Sequence, residues 1–302
     1  MTVAEKLWTY QSERFPLIKT IPLLAVLAIA SIHVSAALAG RDAPALSAYA
    51  AAAVLALIVF FQMRVADEHK DYADDCRYRP ERAVPRGLVT LAFLARLAGL
   101  TALIAAGLAL TQPPPVAVCL LLVWAWLYLM TREFFAVDWL KAHPILYLIS
   151  HMAILPLIVL LLTSFEWARV ATPPPGLMPF LGLAFLNGCV LEIGRKVWAP
   201  EHERDGVETY SGLWGPGRAI WIWAALTAIS AVLLVWTGWQ FAHGRLPWIA
   251  ALVGAAGAIY VATLFASRQD AAAERLVDRA SGLWVLISYG ALAARLPSGV
   301  AT

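Results

Sequence analysis

Three aspartates, Asp67, Asp71 and Asp75, recur at four-residue intervals in the stretch from Arg64 to Pro80, with Glu68 beside the first. If the stretch is helical, positions i, i+4 and i+8 place their carboxylates on one face. Like charges at that spacing repel, so a stable chain needs a reason to hold them there. A bound divalent cation is one: Mg²⁺ takes hard oxygen donors, uses few of them from the protein, and leaves positions open for substrate phosphates. The bland alternative is a solvated helix end whose acids are neutralised by Lys70, Arg77 and Arg79.

A second polar stretch begins Glu192-Ile193-Gly194-Arg195-Lys196 and continues through Glu201, His202, Glu203 and Asp205 to Tyr210. Two chemistries are open to it. Glu192 and a later acid such as Glu201 hold a second Mg²⁺, or Arg195 and Lys196 bind an anionic diphosphate directly through charge-assisted hydrogen bonds. Glu192, Arg195 and Lys196 end an apolar run, where burying charge is expensive and usually functional.

The elements that must position these residues are membrane spans. With 302 residues, 61% of them hydrophobic and only 14% charged, and a mean hydropathy of +0.70, the chain has the bilayer as its main solvent. A span needs about 20 mostly apolar residues, and nine windows answer that description. They run over Leu17–Leu38, Ala45–Val65, Gly87–Leu110, Val116–Met130, Pro144–Thr163, Leu177–Gly194, Arg218–Trp239, Trp248–Ser267 and Gly282–Leu296. Helices are expected, because a membrane barrel would alternate apolar and polar residues and these runs do not. The mixed charges of residues 1–14 and the long run after them mark a retained first helix, not a cleaved leader.

Lys and Arg gather on one face, from Lys6, Arg14 and Lys19 through Arg64–Arg86, Arg132, Lys141 and Arg195–Arg218 to Arg268–Arg279. The other face receives Arg41, Arg169, Arg245 and Arg295. The positive-inside rule then places the N-terminus and the long polar loops in the cytoplasm, with the C-terminus outside. Outer connections such as Gly40–Pro44, Gln112–Pro115, Pro173–Gly176 and His243–Arg245 are turns. The inner stretches of about 67–86, 131–143 and 195–217 form a polar cap on a single domain over 1–302. Cys76, Cys119 and Cys189 lack the spacing of a disulfide framework or a zinc cage and are read as packing residues. His151 and Asn187, within spans, are read as helix-packing hydrogen bonds. The two acidic loops hint at paired bundles without a sequence repeat.

Asp67-Glu68-x-x-Asp71-x-x-x-Asp75 resembles the Asn-Asp-x-x-Asp-x-x-x-Asp motif of UbiA-type intramembrane prenyltransferases, with Asp67 for Asn and Glu68 for the first Asp, both oxygen donors. Arg79-Pro80 and Pro85-Arg86-Gly87 are similar to that family's ending of the same loop, and Gly206-Val207-Glu208-Thr209 to its Gly-x-x-Thr. The family's second aspartate pair is absent, its positions falling on Trp198 and His202. The resemblance implies nine helices around a central cavity, and a Mg²⁺-dependent transfer of an isoprenyl group from a prenyl diphosphate to an aromatic or other lipophilic acceptor. The expected metal donors are Asp67, Glu68, Asp71, Asp75, Glu192 and Glu201. Arg64, Lys141, Arg195 and Lys196 are expected on the diphosphate. Cyclisation of the prenyl chain, or phosphoribosyl transfer to a lipid, would use the same site. A cation transporter is a more distant alternative, since its charges should sit at mid-span. Membrane lipids are the expected surroundings, no nucleic-acid partner is expected, and nothing in the sequence sets an acceptor or an oligomeric state.

Overall fold

The computed structural model describes residues 2–42, 44–242 and 244–294, and every regular element among them is a helix. The chain opens with α1 (Val3–Arg14), a short helix started by a capping box in which Thr2 and Glu5 satisfy each other's backbone N–H groups. The long helices then follow the apolar windows: α2 (Leu17–Leu38), α3 (Leu46–Lys70), α5 (Leu91–Leu110), α6 (Pro114–Thr131), α12 (Pro216–Trp239) and α13 (Leu246–Arg268). Short helices α4 (Tyr72–Tyr78), α7 (Val137–Lys141) and α11 (Tyr210–Trp214) lie in the polar connections.

The window expected over Pro144–Thr163 divides into α8 (Pro144–Met152) and α9 (Ile154–Trp167). Pro156 explains the break: it has no N–H for the carbonyl of Met152, and its ring crowds that carbonyl. Among the described residues seven segments, counting the run Pro144–Val170 as one, are long and apolar enough to cross a membrane. The remaining two windows differ. α10 (Met178–Gly194) is apolar but has 17 residues. The last helix, α14 (Ala271–Ala293), starts at Ala271 and not at Gly282, and its first turns carry Glu274, Arg275, Asp278 and Arg279. Leu296 and Arg295, assigned to that window and to the outer face, lie outside the described residues, as do Ala43 and His243 of two outer turns.

Two groups of helices make the bundle. α2, α3, α5, α6 and α9 pack in one, α10, α12, α13 and α14 in the other, and the pairs α2–α14 and α9–α10 join them. Since lipid tails are as apolar as the helices, small residues and polar pairs must supply the adhesion between them. Asn187 does so at the centre of the second group, confirming its packing role. It donates to Ser288 at 3.0 Å and accepts from Ser230 at 2.8 Å and from the Trp284 indole at 3.0 Å, tying α10 to α12 and α14. Gly194 lets α10 pass so close to α14 that a Cβ there would collide with Ser281. At the end away from the polar cap, Glu166 of α9 accepts from Ser35 at 2.6 Å and from Arg41, closing α2 on α9. Leu103, Leu252 and Val232 stand exposed on the outer faces, as a bilayer requires.

Candidate active site

α3, the α6–α8 connection and the α10–α12 connection meet at one cavity of about 1410 Å³. Helical hydrogen bonds run through the α3–α4 junction, from Asp71 N to Asp67 O at 2.9 Å and from Asp75 N to Asp71 O at 2.8 Å. The i, i+4, i+8 face therefore survives the junction. Asp67, Asp71 and Asp75 all line the cavity, and Asp74, not singled out in the sequence, lines it with them. Burial, followed by the charges of Asp67 and Asp75, raises the Asp71 pKa against the opposing pull of Lys70.

Glu68 departs from the expectation. One residue along a helix is a turn of about 100°, so its side chain leaves the aspartate face. It is 2% exposed and ion-paired to Arg14 at 2.6 Å, fastening α1 to α3, and it is not among the cavity-lining side chains. Asp75 is buried and gripped: Arg82 Nη1 lies 2.8 Å from both carboxylate oxygens and Arg79 3.5 Å away. The Arg79–Arg82 turn is thus closed by its own aspartate. Arg64 reaches Asp67 at 3.5 Å and lines the cavity.

Across the cavity, Glu192 ends α10 between Arg195 and Lys196, the latter 3.0 Å away. The next loop doubles back, with Tyr210 N donating to Lys196 O at 2.9 Å and Trp198 N to Ser211 Oγ at 2.7 Å. Of its acids, Glu208 lines the cavity, whereas Glu201 and Glu203 are occupied elsewhere. Glu201 accepts from Ala271 N at 3.0 Å beside the start of α14, and Glu203 accepts from Thr209 at 2.7 Å. Glu201, expected among the metal donors, is not among the side chains that line the cavity. Gly206 sets the loop against the first acidic segment: its φ is +77°, and a Cβ would enter the Tyr78 ring.

The third connection holds residues that sequence reasoning missed. Glu133, Phe134 and Phe135 take φ values of 47°, 50° and 58°, a left-handed run without glycine that costs about 1–2 kcal/mol per residue. That turn points Glu133 inward to Lys70 at 3.4 Å and to the Tyr147 hydroxyl at 3.1 Å, with Lys70 donating to the same hydroxyl at 2.8 Å. Tyr147 and His151 line the cavity one turn apart on α8. His151, read as a packing residue, is therefore a wall residue, and Lys70 pairs with Glu133 in place of the neighbouring aspartates. Only the i, i+4 spacing of Tyr147 and His151 carried any sign of this group in the sequence. Lys141 stands exposed at the rim with no ion pair among the described residues, and Asp138 lies off the wall.

Among the described residues no three His, Cys, Asp or Glu side chains converge tightly enough to enclose a metal alone. That suits Mg²⁺, which binds through one or two carboxylates and takes its other ligands from phosphate and water. Asp67 and Asp71, one helical turn apart on an open wall, offer that donor set.

A comparison with curated proteins finds no match. Among solved structures, the chain superposes on the apo form of a UbiA homolog from Aeropyrum pernix K1 with a TM-score of 0.69 and 15% identity, covering 88% of this chain and 94% of that one. A digeranylgeranylglyceryl phosphate synthase gives a TM-score of 0.63 at 15% identity, covering 96% and 98%. These likenesses establish a shared fold. The model of the UbiA prenyltransferase family matches residues 23–286, and on that match the chain belongs to the UbiA prenyltransferase family.

Proposed function

We propose that the chain is a Mg²⁺-dependent intramembrane prenyltransferase that moves an isoprenyl group from a prenyl diphosphate to a lipophilic acceptor. One observation carries this reading: the cavity is amphiphilic in the way the substrate is. Its polar lining includes Asp67, Asp71, Asp74, Arg195 and Lys196, and its apolar lining includes Leu24, Phe60, Met63, Leu148 and Met152. An anionic head and a hydrocarbon tail fit the two regions.

Asp67 and Asp71 would hold Mg²⁺, which when bound supplies Lewis-acid stabilisation of the charge on the departing diphosphate. Arg195 and Lys196, which precede the positions Trp198 and His202 where the family's second aspartate pair is absent, neutralise the diphosphate directly. Glu192, flanked by both cations, orients them. Arg64 and Lys141 add positive charge at the rim. Asp75 acts through Arg79 and Arg82 by fixing the loop. The apolar wall keeps water from the allylic centre. The positive residues flanking this end support a cytoplasmic side for it and for the N-terminus in this reading.

The test is incubation of purified protein with Mg²⁺ and prenyl diphosphates of several chain lengths, reading pyrophosphate. Metal-dependent release with at least one of them is expected. No release with any chain length refutes the proposal.

A further inference from the structure

Two buried side chains on the cavity wall face each other as acceptors. Glu133 and His151 are each 6% exposed, and Glu133 Oε2 and His151 Nε2 find no hydrogen-bond partner among the described residues. They lie 3.5 Å apart, longer than an N–H···O bond. His151 Nδ1 is 2.9 Å from the carbonyl oxygen of Tyr147, which can only accept. Ser150 Oγ, 3.3 Å from the same nitrogen, already donates to that carbonyl. The ring proton therefore sits on Nδ1, and Nε2 presents a lone pair.

The other carboxylate oxygen completes the argument. Glu133 Oε1 accepts from the Tyr147 hydroxyl, and Lys70 stands beside both. Lys70 thereby supports Glu133 as a carboxylate, and Oε2 has only lone pairs to offer. Two lone pairs that face one another, at a cavity wall, call for a hydroxyl hydrogen from a ligand.

Rigidity adds a second, independent observation. The imidazole is stacked on Tyr147, with ring centres 4.0 Å apart, and flanked edge-on by Phe134 at 6.1 Å. Phe134 belongs to the left-handed turn that aims Glu133, and unusual backbone of this kind collects at functional sites. The charged and titratable groups acting on His151 are Lys70 and Asp67 of α3, Glu133 of the turn and Tyr147 of its own helix.

We infer that Glu133 and His151 form the acceptor site, binding the O–H group of a lipophilic alcohol or phenol and taking its proton as the prenyl group arrives. This rests on the prenyl-transfer reading. The acceptor oxygen forms a bond to C1 of the prenyl group, and the C1–O bond to diphosphate breaks with its electron pair leaving on the diphosphate. The hydroxyl proton passes to His151 Nε2, and Glu133 Oε2 neutralises the imidazolium.

The experiment compares 4-nonylphenol with its methyl ether, and 1-dodecanol with its methyl ether, by equilibrium binding to the full chain in detergent. A site built around a hydroxyl should prefer one or both hydroxyl compounds over their ethers by about tenfold or more, because the ether leaves both acceptors unpaired. The favoured pair distinguishes phenol from alcohol. In His151→Phe the preference should vanish. With geranylgeranyl diphosphate, Mg²⁺ and the favoured acceptor, kcat for transfer should fall about 100-fold, the scale of general-base catalysis, while KM for the diphosphate changes less than about threefold. The rising limb of the pH profile should go with it.

Glu133→Gln, which places an amide N–H against Nε2, should repeat the loss and guards against misfolding of the first variant. Equal binding of hydroxyl compounds and ethers by the unaltered protein overturns the inference, as does wild-type transfer by His151→Phe. A parallel fall in kcat and rise in KM also overturns it. Absence of pyrophosphate release from the unaltered protein would instead overturn the transferase reading, and the proton transfer with it.

Discussion

Replacing Asp71 by Asn removes one negative charge from the cavity wall with almost no change of shape, and its consequences follow from where Asp71 stands. A carboxylate in contact with a cation, in surroundings of effective dielectric near 20, contributes about 4 kcal/mol. Asp71 is only half-buried and Mg²⁺ retains water, so roughly 2–3 kcal/mol is the usable part, or about 30- to 150-fold in metal affinity. The half-saturating Mg²⁺ concentration for pyrophosphate release should therefore rise by that factor in Asp71→Asn.

Stability should move the other way. Burial, with Asp67 and Asp75 nearby, raises the Asp71 pKa, so the folded chain holds this proton more tightly than the unfolded chain does. A carboxyl of that kind contributes stability below the ordinary carboxylate pKa and loses it as pH rises through the raised value. Asn mimics the neutral form at every pH. At pH 7 without Mg²⁺ the variant should melt higher than the unaltered protein, and the gap should close as pH falls towards 4. Titrating Mg²⁺ against pyrophosphate release, and heating the metal-free protein in detergent at several pH values, measures both effects. An unchanged Mg²⁺ requirement would refute the assignment of Asp71 to the metal.

Two further outcomes follow from the same geometry. Lys196→Met should raise KM for the prenyl diphosphate roughly 5- to 30-fold with little change in kcat, since a partly exposed charge-assisted contact contributes about 1–2 kcal/mol; steady-state kinetics at two ionic strengths check it. Gly206→Ala should lower the melting temperature, because the methyl group meets the Tyr78 ring at a backbone φ of +77°; adding Tyr78→Ala should recover the steric part and leave the cost of the backbone conformation.

Hydropathy located the seven segments that are long and apolar enough to cross a membrane among the described residues, because a span must satisfy its backbone internally and cover a fixed thickness of lipid, and both demands are written in local composition. The aspartate face was equally legible: helical periodicity alone brings Asp67, Asp71 and Asp75 together. Charge near the ends of apolar runs marked Glu192, Arg195 and Lys196 as cavity residues.

What needed the folded chain was partnership between distant segments. Helical spacing turns Glu68 off the aspartate face, but its partner is not local: Arg14, 54 residues earlier, holds it away from the cavity. Likewise Glu201 looked like any loop acid until the start of α14 claimed it. The Lys70–Glu133–Tyr147–His151 group joins α3, an unusual left-handed turn and α8, and neither strained backbone nor such convergence leaves a periodic trace. Linear spacing fixes which residues share a helix face, whereas the pairing of buried charges is settled by packing, because each must find its counter-charge wherever the fold supplies one.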